Sequence, residues 1–152
     1  FQVFAPADFA FESIGITNET VLTFDPAILT TVLSYHVVVG EADNATLRGT
    51  LQEFDTLLNN RFLRNSRDGS IIDGTGQVAN LLAADLQAVN GYVHAIDLVL
   101  EPYPLFTQSP TSAPTAAPTE YFGQFDTILA ALSTSGLDIE LAQPNGPFTV
   151  SA

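Results

Sequence analysis

Between Asp25 and Leu33 the apolar positions fall at helical spacing, with Ile28, Leu29, Val32 and Leu33 forming one stripe. Asp25 supplies an N-cap carboxylate and Pro26 a ring suited to the first helical position, so a helix is predicted to open there. The stripe runs into Tyr35-His36-Val37-Val38-Val39, a β-branched run that Gly40 ends. Upstream, Phe1–Phe4 (FQVF) reads as a strand that passes through Ala5-Pro6 into a short helix carrying Phe9 and Phe11. Downstream, strands dominate. Arg61-Phe62-Leu63-Arg64 and Ser70-Ile71-Ile72 flank an Asp68-Gly69 turn, a hairpin signal. Gly74, Gly76 and Asn90-Gly91 punctuate the remaining strands, and Tyr92–Leu100 is the last and most apolar of them. Helices first and strands later predict an α+β domain.

Residues 107–120 break this pattern. Pro110-Thr111, Pro114-Thr115 and Pro118-Thr119 recur every four residues between small or polar neighbours. Such a segment cannot bury enough apolar area to fold alone and favours extended polyproline-II backbone, so its fourteen residues can span roughly 40 Å. The composition suits an O-glycosylated stalk, with Thr111, Thr115 and Thr119 as candidate acceptors. Beyond it, Phe125, Ile128, Leu129 and Leu132 share a helical face, Asp126 stands near the start, and Gly136 falls where a C-cap is expected. Leu137, Ile139 and Leu141 suit a second helical turn, and the Pro144-Asn145-Gly146-Pro147 cluster precedes a strand at Phe148–Val150. That strand repeats the opening one: Phe1, Val3 and Ala5 recur as Phe148, Val150 and Ala152. The chain therefore reads as one repeat of a tandem array, cut out of phase.

Charge narrows the partners. Seventeen acidic residues face four arginines (Arg48, Arg61, Arg64 and Arg67) and no lysine, for a net charge of −13. Nucleic acid and anionic membrane surfaces would be repelled. Cations, cationic polymers and neutral glycans remain open. There is no cysteine to form a disulfide or a thiolate site. Asn18-Glu19-Thr20 and Asn44-Ala45-Thr46 are N-glycosylation sequons, which points to an extracellular setting.

The segments Phe1–Phe11 (FQVFAPADFAF), Leu33–Val38 (LSYHVV) and Asn90–Pro102 (NGYVHAIDLVLEP) resemble, in this order, three signatures of the fasciclin domain family. Phe125–Leu137 (FDTILAALSTSGL) is similar to the opening helix of that family. The resemblance implies a wedge of two β-sheets with helices packed around it. It implies a secreted or surface-anchored protein, tandem repeats, and a role in adhesion or matrix organisation. It divides the chain into a fasciclin-like domain lacking its opening helices (1–106), a Pro/Thr-rich linker (107–120), and the opening helices and first strand of the next domain (121–152). On this division residues 121–152 are expected to pack little against residues 1–105 of the same chain, and Phe125, Ile128, Leu129 and Leu132 to pack between repeats.

For Tyr35-His36 the resemblance implies an adhesion element, flanked by Leu33, Val37 and Val38. The plainer reading of the residues is a core junction between helix and strand, with polar atoms satisfied locally. His94 and Asp97 lie three apart on a strand and so on opposite faces, a poor metal or catalytic pair. Two histidines without cysteine leave zinc short of ligands. Ser34, His36 and Asp97 could be written as a triad, but no nucleophile-elbow or phosphate-cradling pattern accompanies them. Glu41-Ala42-Asp43-Asn44 and Asp68/Asp73 offer oxygens to calcium without EF-hand spacing.

The expectation is a non-catalytic extracellular module that assembles with neighbouring repeats or copies of itself, without a cofactor and without membrane insertion. Calcium stiffening and recognition of a receptor or glycan through the Tyr35-His36 region, Tyr92 or Tyr103 are the alternatives.

Overall fold

A computed structural model describes residues 1–40, 42–59, 61–89, 91–106 and 126–135. Two four-stranded sheets carry the fold. The first has the order β2–β1–β8–β7, from β1 (Gln2–Pro6), β2 (Val37–Val38), β7 (Leu81–Ala88) and β8 (Gly91–Ile96). The second has the order β3–β4–β5–β6, from β3 (Glu53–Asp55), β4 (Phe62–Asn65), β5 (Ile71–Ile72) and β6 (Val78–Ala79). Helices α1 (Asp8–Ser13), α2 (Pro26–His36), α3 (Asn44–Leu47) and α4 (Asp126–Ser135), with a 3-10 turn at Val21–Thr23, complete the described elements.

Neighbours along β1 serve different cores. Val3 and Ala5 belong to a helical core with Phe11, Ile16, Val21, Leu29, Val32, Leu33 and Val93. Phe4 belongs to a second core with Tyr35, Val38, Leu47, Leu63, Ile71, Ile96 and Leu100. Period-two alternation thus makes the first sheet the middle layer, with helices on one face and the second sheet on the other. This two-sheet wedge with helices around it is the α+β class expected from the sequence.

Local chemistry explains the boundaries. Asp25 accepts the Ala27 N–H at 2.9 Å and opens α2 as expected. The β-branched run after it is mostly not strand: α2 continues through His36, and β2 is only Val37–Val38. Ile28 departs from its expected stripe, being 37% exposed in the first turn while Leu29, Val32 and Leu33 are buried. The β4–β5 hairpin forms as its turn residues predict, with Gly69 at φ +91°. On the outer strand β7 the pairing register shifts between Leu81 and Ala83 and again between Ala83 and Leu86. Asp85 takes the left-handed region at φ 59°, and its carboxylate accepts the Asn44 N–H at the start of α3.

Residues about ninety apart meet at the centre. β1 and β8 run parallel, from Gln2 opposite Tyr92 to Pro6 opposite Ile96. On its other side β1 pairs antiparallel with β2, Gln2 facing Val38. A side chain at Gly91 has no room here, because a Cβ would fall on the Phe1 carbonyl oxygen, which accepts the Tyr92 N–H at 3.3 Å. Gly91→Ala is therefore expected to cost about 3 kcal/mol by prising the two central strands apart. Urea unfolding of the variant beside the parent checks this; coincident midpoints would contradict it.

Candidate functional site

The three segments that carry the family resemblance form adjacent strands or their flanks, and their Gln2, Tyr35, His36, His94 and Glu101 are buried. Leu33, Tyr35, His36, Val37 and Val38 are all at most 2% exposed. The suggested adhesion element is therefore interior in this fold. The physical reason is its position: the end of α2 and the start of β2 are wedged between both cores, where aromatic and β-branched side chains complete the packing.

His36 joins two of these segments. Its Nδ1–H donates to the Val32 carbonyl at 2.8 Å, and its Nε2 accepts the Leu100 N–H at 2.9 Å. Both nitrogens are engaged by backbone, which leaves none to serve a nucleophile at Ser34. Asp97 is engaged elsewhere, accepting from the Asn80 backbone and side-chain amides. His94 makes the mirror arrangement. Its Nε2–H donates to the Ala42 carbonyl at 3.1 Å, and its Nδ1 accepts the Asp85 N–H at 3.2 Å. The Gln2 side-chain oxygen accepts the Ala42 N–H at 2.7 Å, so residue 42 is clamped through both of its backbone polar groups. Phe4 stacks on the His94 ring with centroids 5.5 Å apart.

Carboxylates are likewise turned to internal work. Asp73, buried, accepts from the Thr75 N–H and hydroxyl, the Gln77 N–H and the Glu101 N–H. Glu101, also buried, accepts from the Leu105 and Phe106 N–H groups and holds the end of the body in place. Asp43 accepts from the Thr46 N–H and hydroxyl. Asp68 accepts from the Ser66 hydroxyl and from the Ser70 N–H and hydroxyl, which hold its carboxyl down at about 2. The oxygens considered for calcium at Asp43, Asp68 and Asp73 thus already face donors of the chain itself; Glu41 lies outside the described residues. Tyr35 is pushed up to about 12, first by burial and then by the charge of Asp73.

The arginines do not form one patch. Arg64 pairs with Glu53 at 3.8 Å on the surface, while the Arg61 guanidinium lies 5.3 Å from the centroid of the Tyr103 ring. Tyr103 is exposed and Tyr92 half-buried. Asn18 is exposed in a turn that the Thr17 and Thr20 hydroxyls brace. Asn44 is half-buried, with its side-chain oxygen accepting from Arg48 Nε. Thr111, Thr115, Thr119 and Phe125 lie outside the described residues, as do the second helical turn and the repeated strand.

One expectation is overturned. The division of the chain leaves residues 121–152 packing little against residues 1–105, yet α4 lies across α1, α2 and the 3-10 turn of the same chain. Ile128 and Ala131 are buried in the helical core beside Phe11, Val21, Leu29 and Val32. The reason is the core itself, which exposes an apolar groove unless a helix covers it. Sequence reasoning picks out Ile128 for packing but assigns it to another body. Leu129 and Leu132 are on α4, whose backbone alone is described at those positions.

The comparisons agree with this architecture. The model of the fasciclin domain matches residues 1–102, and the chain belongs to the fasciclin domain family. The cell surface glycolipoprotein MPB83 of Mycobacterium bovis is 28% identical over 102 residues, covering 67% of this chain and 44% of that protein. The immunogenic protein MPT70 of Mycobacterium tuberculosis is 30% identical over 109 residues, covering 67% and 50% respectively. Protein sll1483 of Synechocystis is 31% identical over 104 residues, covering 67% and 55%. The chain thus spans about half the length of the curated relatives it matches. A solved fasciclin domain pair from the insect cell adhesion molecule Fasciclin I superposes with a TM-score of 0.52 at 28% identity, over 65% of this chain and 36% of that one. Among the described residues no helix is long and apolar enough to cross a membrane.

Burial makes both histidines sensitive to acid. It lowers His36 from 6.5 to about 4, against the opposing pull of the Val32 carbonyl and Asp73, and it lowers His94 as well. The unfolded chain takes up the His36 proton near pH 6.5 and the folded chain only near 4, so stability is full above that window and declines as pH falls through it. The loss from His36 is about 3 kcal/mol, with His94 acting in the same direction. Thermal melts between about pH 7 and about pH 4 are expected to show the decline. His36→Asn should start lower and fall less steeply; an unchanged slope would remove His36 as the cause.

Proposed function

We propose that this fasciclin domain is a non-catalytic, extracellular structural and adhesion module of a tandem fasciclin-repeat protein, which assembles through contacts between neighbouring repeats into matrix or fibres. The observation that carries this reading is the match to the fasciclin domain family. The opening-strand motif Phe1, Val3 and Ala5 recurs as Phe148, Val150 and Ala152, while the docking of α4 on its own body counts against an out-of-phase cut. A helix connected through a Thr/Pro-rich spacer covers the body, and the residues after it repeat the motif of β1. The division into a body at 1–106, a linker at 107–120 and the opening of a further domain at 121–152 belongs to this proposal.

Three further observations support it. The histidines and buried carboxylates all serve the chain's own backbone, as structural polar groups do. Named relatives include cell surface glycolipoproteins and an insect cell adhesion molecule, which favours a surface or secreted location. Asn18 stands exposed as a glycan acceptor, with Asn44 the less open of the two sequons. Receptor or glycan binding through Tyr35-His36 loses its surface in this fold, leaving Tyr103 as the exposed aromatic for that alternative.

Beads coated with the full chain test adhesion between copies. They are expected to cluster, and soluble chain should compete the clusters apart. Dispersed beads at every coating density would overturn the homotypic reading. Secretion from a glycosylating host is expected to give a mobility shift that glycosidase reverses and Asn18→Gln reduces; an unshifted band would remove the glycan assignment.

A further inference from the structure

We infer that the cleft between α3, the β4–β5 turn and the start of β7 is a subsite for one neutral sugar residue, held by Arg48, Asp68 and Asn80. It is independent of assembly between copies, so either can fail while the other stands.

Arg48, Asp68, Gly69, Ser70, Asn80 and Leu81 line a cleft of about 130 Å³. Three parts of the fold converge there. Arg48 is the C-cap residue of α3, and Asp68–Ser70 belong to the hairpin turn. Asn80-Leu81 carry the chain from β6 in the second sheet to β7 in the first. Gly69 and Ser70 are buried, while Arg48, Asp68 and Asn80 are exposed. A Cβ at Gly69 would come within 2.9 Å of Arg48 Cγ, so the bare backbone lets the arginine stem lie against the turn.

Each polar side chain is fixed through one end and has the other to spare. The Arg48 Nε–H donates to Asn44 Oδ1 at 2.9 Å, which leaves both Nη groups. Asp68 Oδ1 takes the Ser66 hydroxyl and the Ser70 N–H and hydroxyl, which leaves Oδ2. Asn80 donates its backbone N–H and its Nδ2–H to Asp97, which leaves Oδ1. Among the described residues, these remaining atoms meet no polar group of the chain. A ligand would therefore find donors and acceptors already oriented, with little side-chain freedom left to lose.

The mixture of groups decides the ligand class. Asp68 is ionised at neutral pH, so an anion drawn to Arg48 would meet a carboxylate. A cation drawn to Asp68 would meet the guanidinium, and among the described residues no cluster of three His, Asp or Glu is suited to a metal. An apolar ligand would strand all three polar groups. A sugar hydroxyl donates to a carboxylate and accepts from a guanidinium at once, so a neutral sugar satisfies both charges. The net charge of −13 disfavours acidic sugars. The cleft is smaller than the roughly 300 Å³ at which pockets enclose a drug-sized ligand, so it fits one residue of a glycan. That residue can come from a partner's glycan or from the chain's own, because Asn44, bonded to Arg48, is a sequon.

The full chain is made in a host that does not glycosylate, and its amide signals are followed by NMR. Methyl glycosides of mannose, galactose, glucose and N-acetylglucosamine are added in turn. At least one is expected to saturate in the millimolar range, which suits ligands of roughly 13–16 non-hydrogen atoms, and to move the Gly69, Ser70 and Leu81 amides. Arg48→Gln and Asp68→Asn should each weaken binding about tenfold or more, and Tyr103→Ala should leave it unchanged. Asp68→Asn also loosens the turn, so Arg48→Gln, at an exposed side chain, is read beside a thermal melt that establishes folding. Shifts that never saturate with any glycoside, or that saturate with sodium sulfate instead, overturn the inference. So does binding lost in Tyr103→Ala and kept in Arg48→Gln. Chain from a glycosylating host separates the two sources. Binding that only glycosidase restores assigns the cleft to the Asn44 glycan, and binding present without it assigns a partner's. Bead clustering without glycoside binding would leave the proposed function standing and remove this subsite, while binding without clustering would do the reverse.

Discussion

The parallel pairing of β1 with β8 is the constraint on which the rest of the molecule depends. Pairing chain segments so far apart carries a large loop-closure entropy, which local contacts cannot offset early. Once formed, it divides the protein into its two cores, since successive residues of both strands face opposite layers. The three signature segments are then seen to be one object. QVFAP is β1, the end of LSYHVV is its neighbour on one side, and GYVHAI is its neighbour on the other.

Polar groups reinforce that centre. His36 ties the end of α2 to Leu100 beyond β8, while His94 and Gln2 hold the backbone of residue 42 between them. The histidines use opposite tautomers, each donating once and accepting once. A buried imidazole in this role works as a neutral two-ended connector, and an ammonium or guanidinium group could not replace its acceptor end. The carboxylate of Asp73 does similar service for a turn and for the start of the closing segment at Glu101.

Much of the fold was legible because its signals are local. The Asp25-Pro26 opening of α2 and the Asp68-Gly69 turn come from short-range chemistry and stand where the sequence placed them. The signatures pointed to the family and so to the layered architecture. Illegible were the features decided by tertiary contacts. For Tyr35-His36 the plainer reading, a core junction with polar atoms satisfied locally, is the arrangement seen, but the distant partner of the imidazole at Leu100 could not be read from the sequence. Ile128 was recognisable as a packing residue, but periodicity reveals that a helix has an apolar face and not which body covers it. The split of the Tyr35–Val39 run between helix and strand likewise depends on what packs around it.

β7 offers a last consequence. As the outer strand of its sheet it would ordinarily present a template for another strand to join. Its two register shifts interrupt the straight ladder that such joining needs, and Asp85 turns its carboxylate toward α3 at the break. One outer strand of the second sheet, β6, is only two residues long, and at the opposite edges β2 meets the residue after β3 through a Val38–Thr56 bridge. β6 and β7 are therefore poor seeds for strand-by-strand accretion. Blunted in this way, β6 and β7 disfavour the extension of one molecule's sheets into another's when copies are crowded.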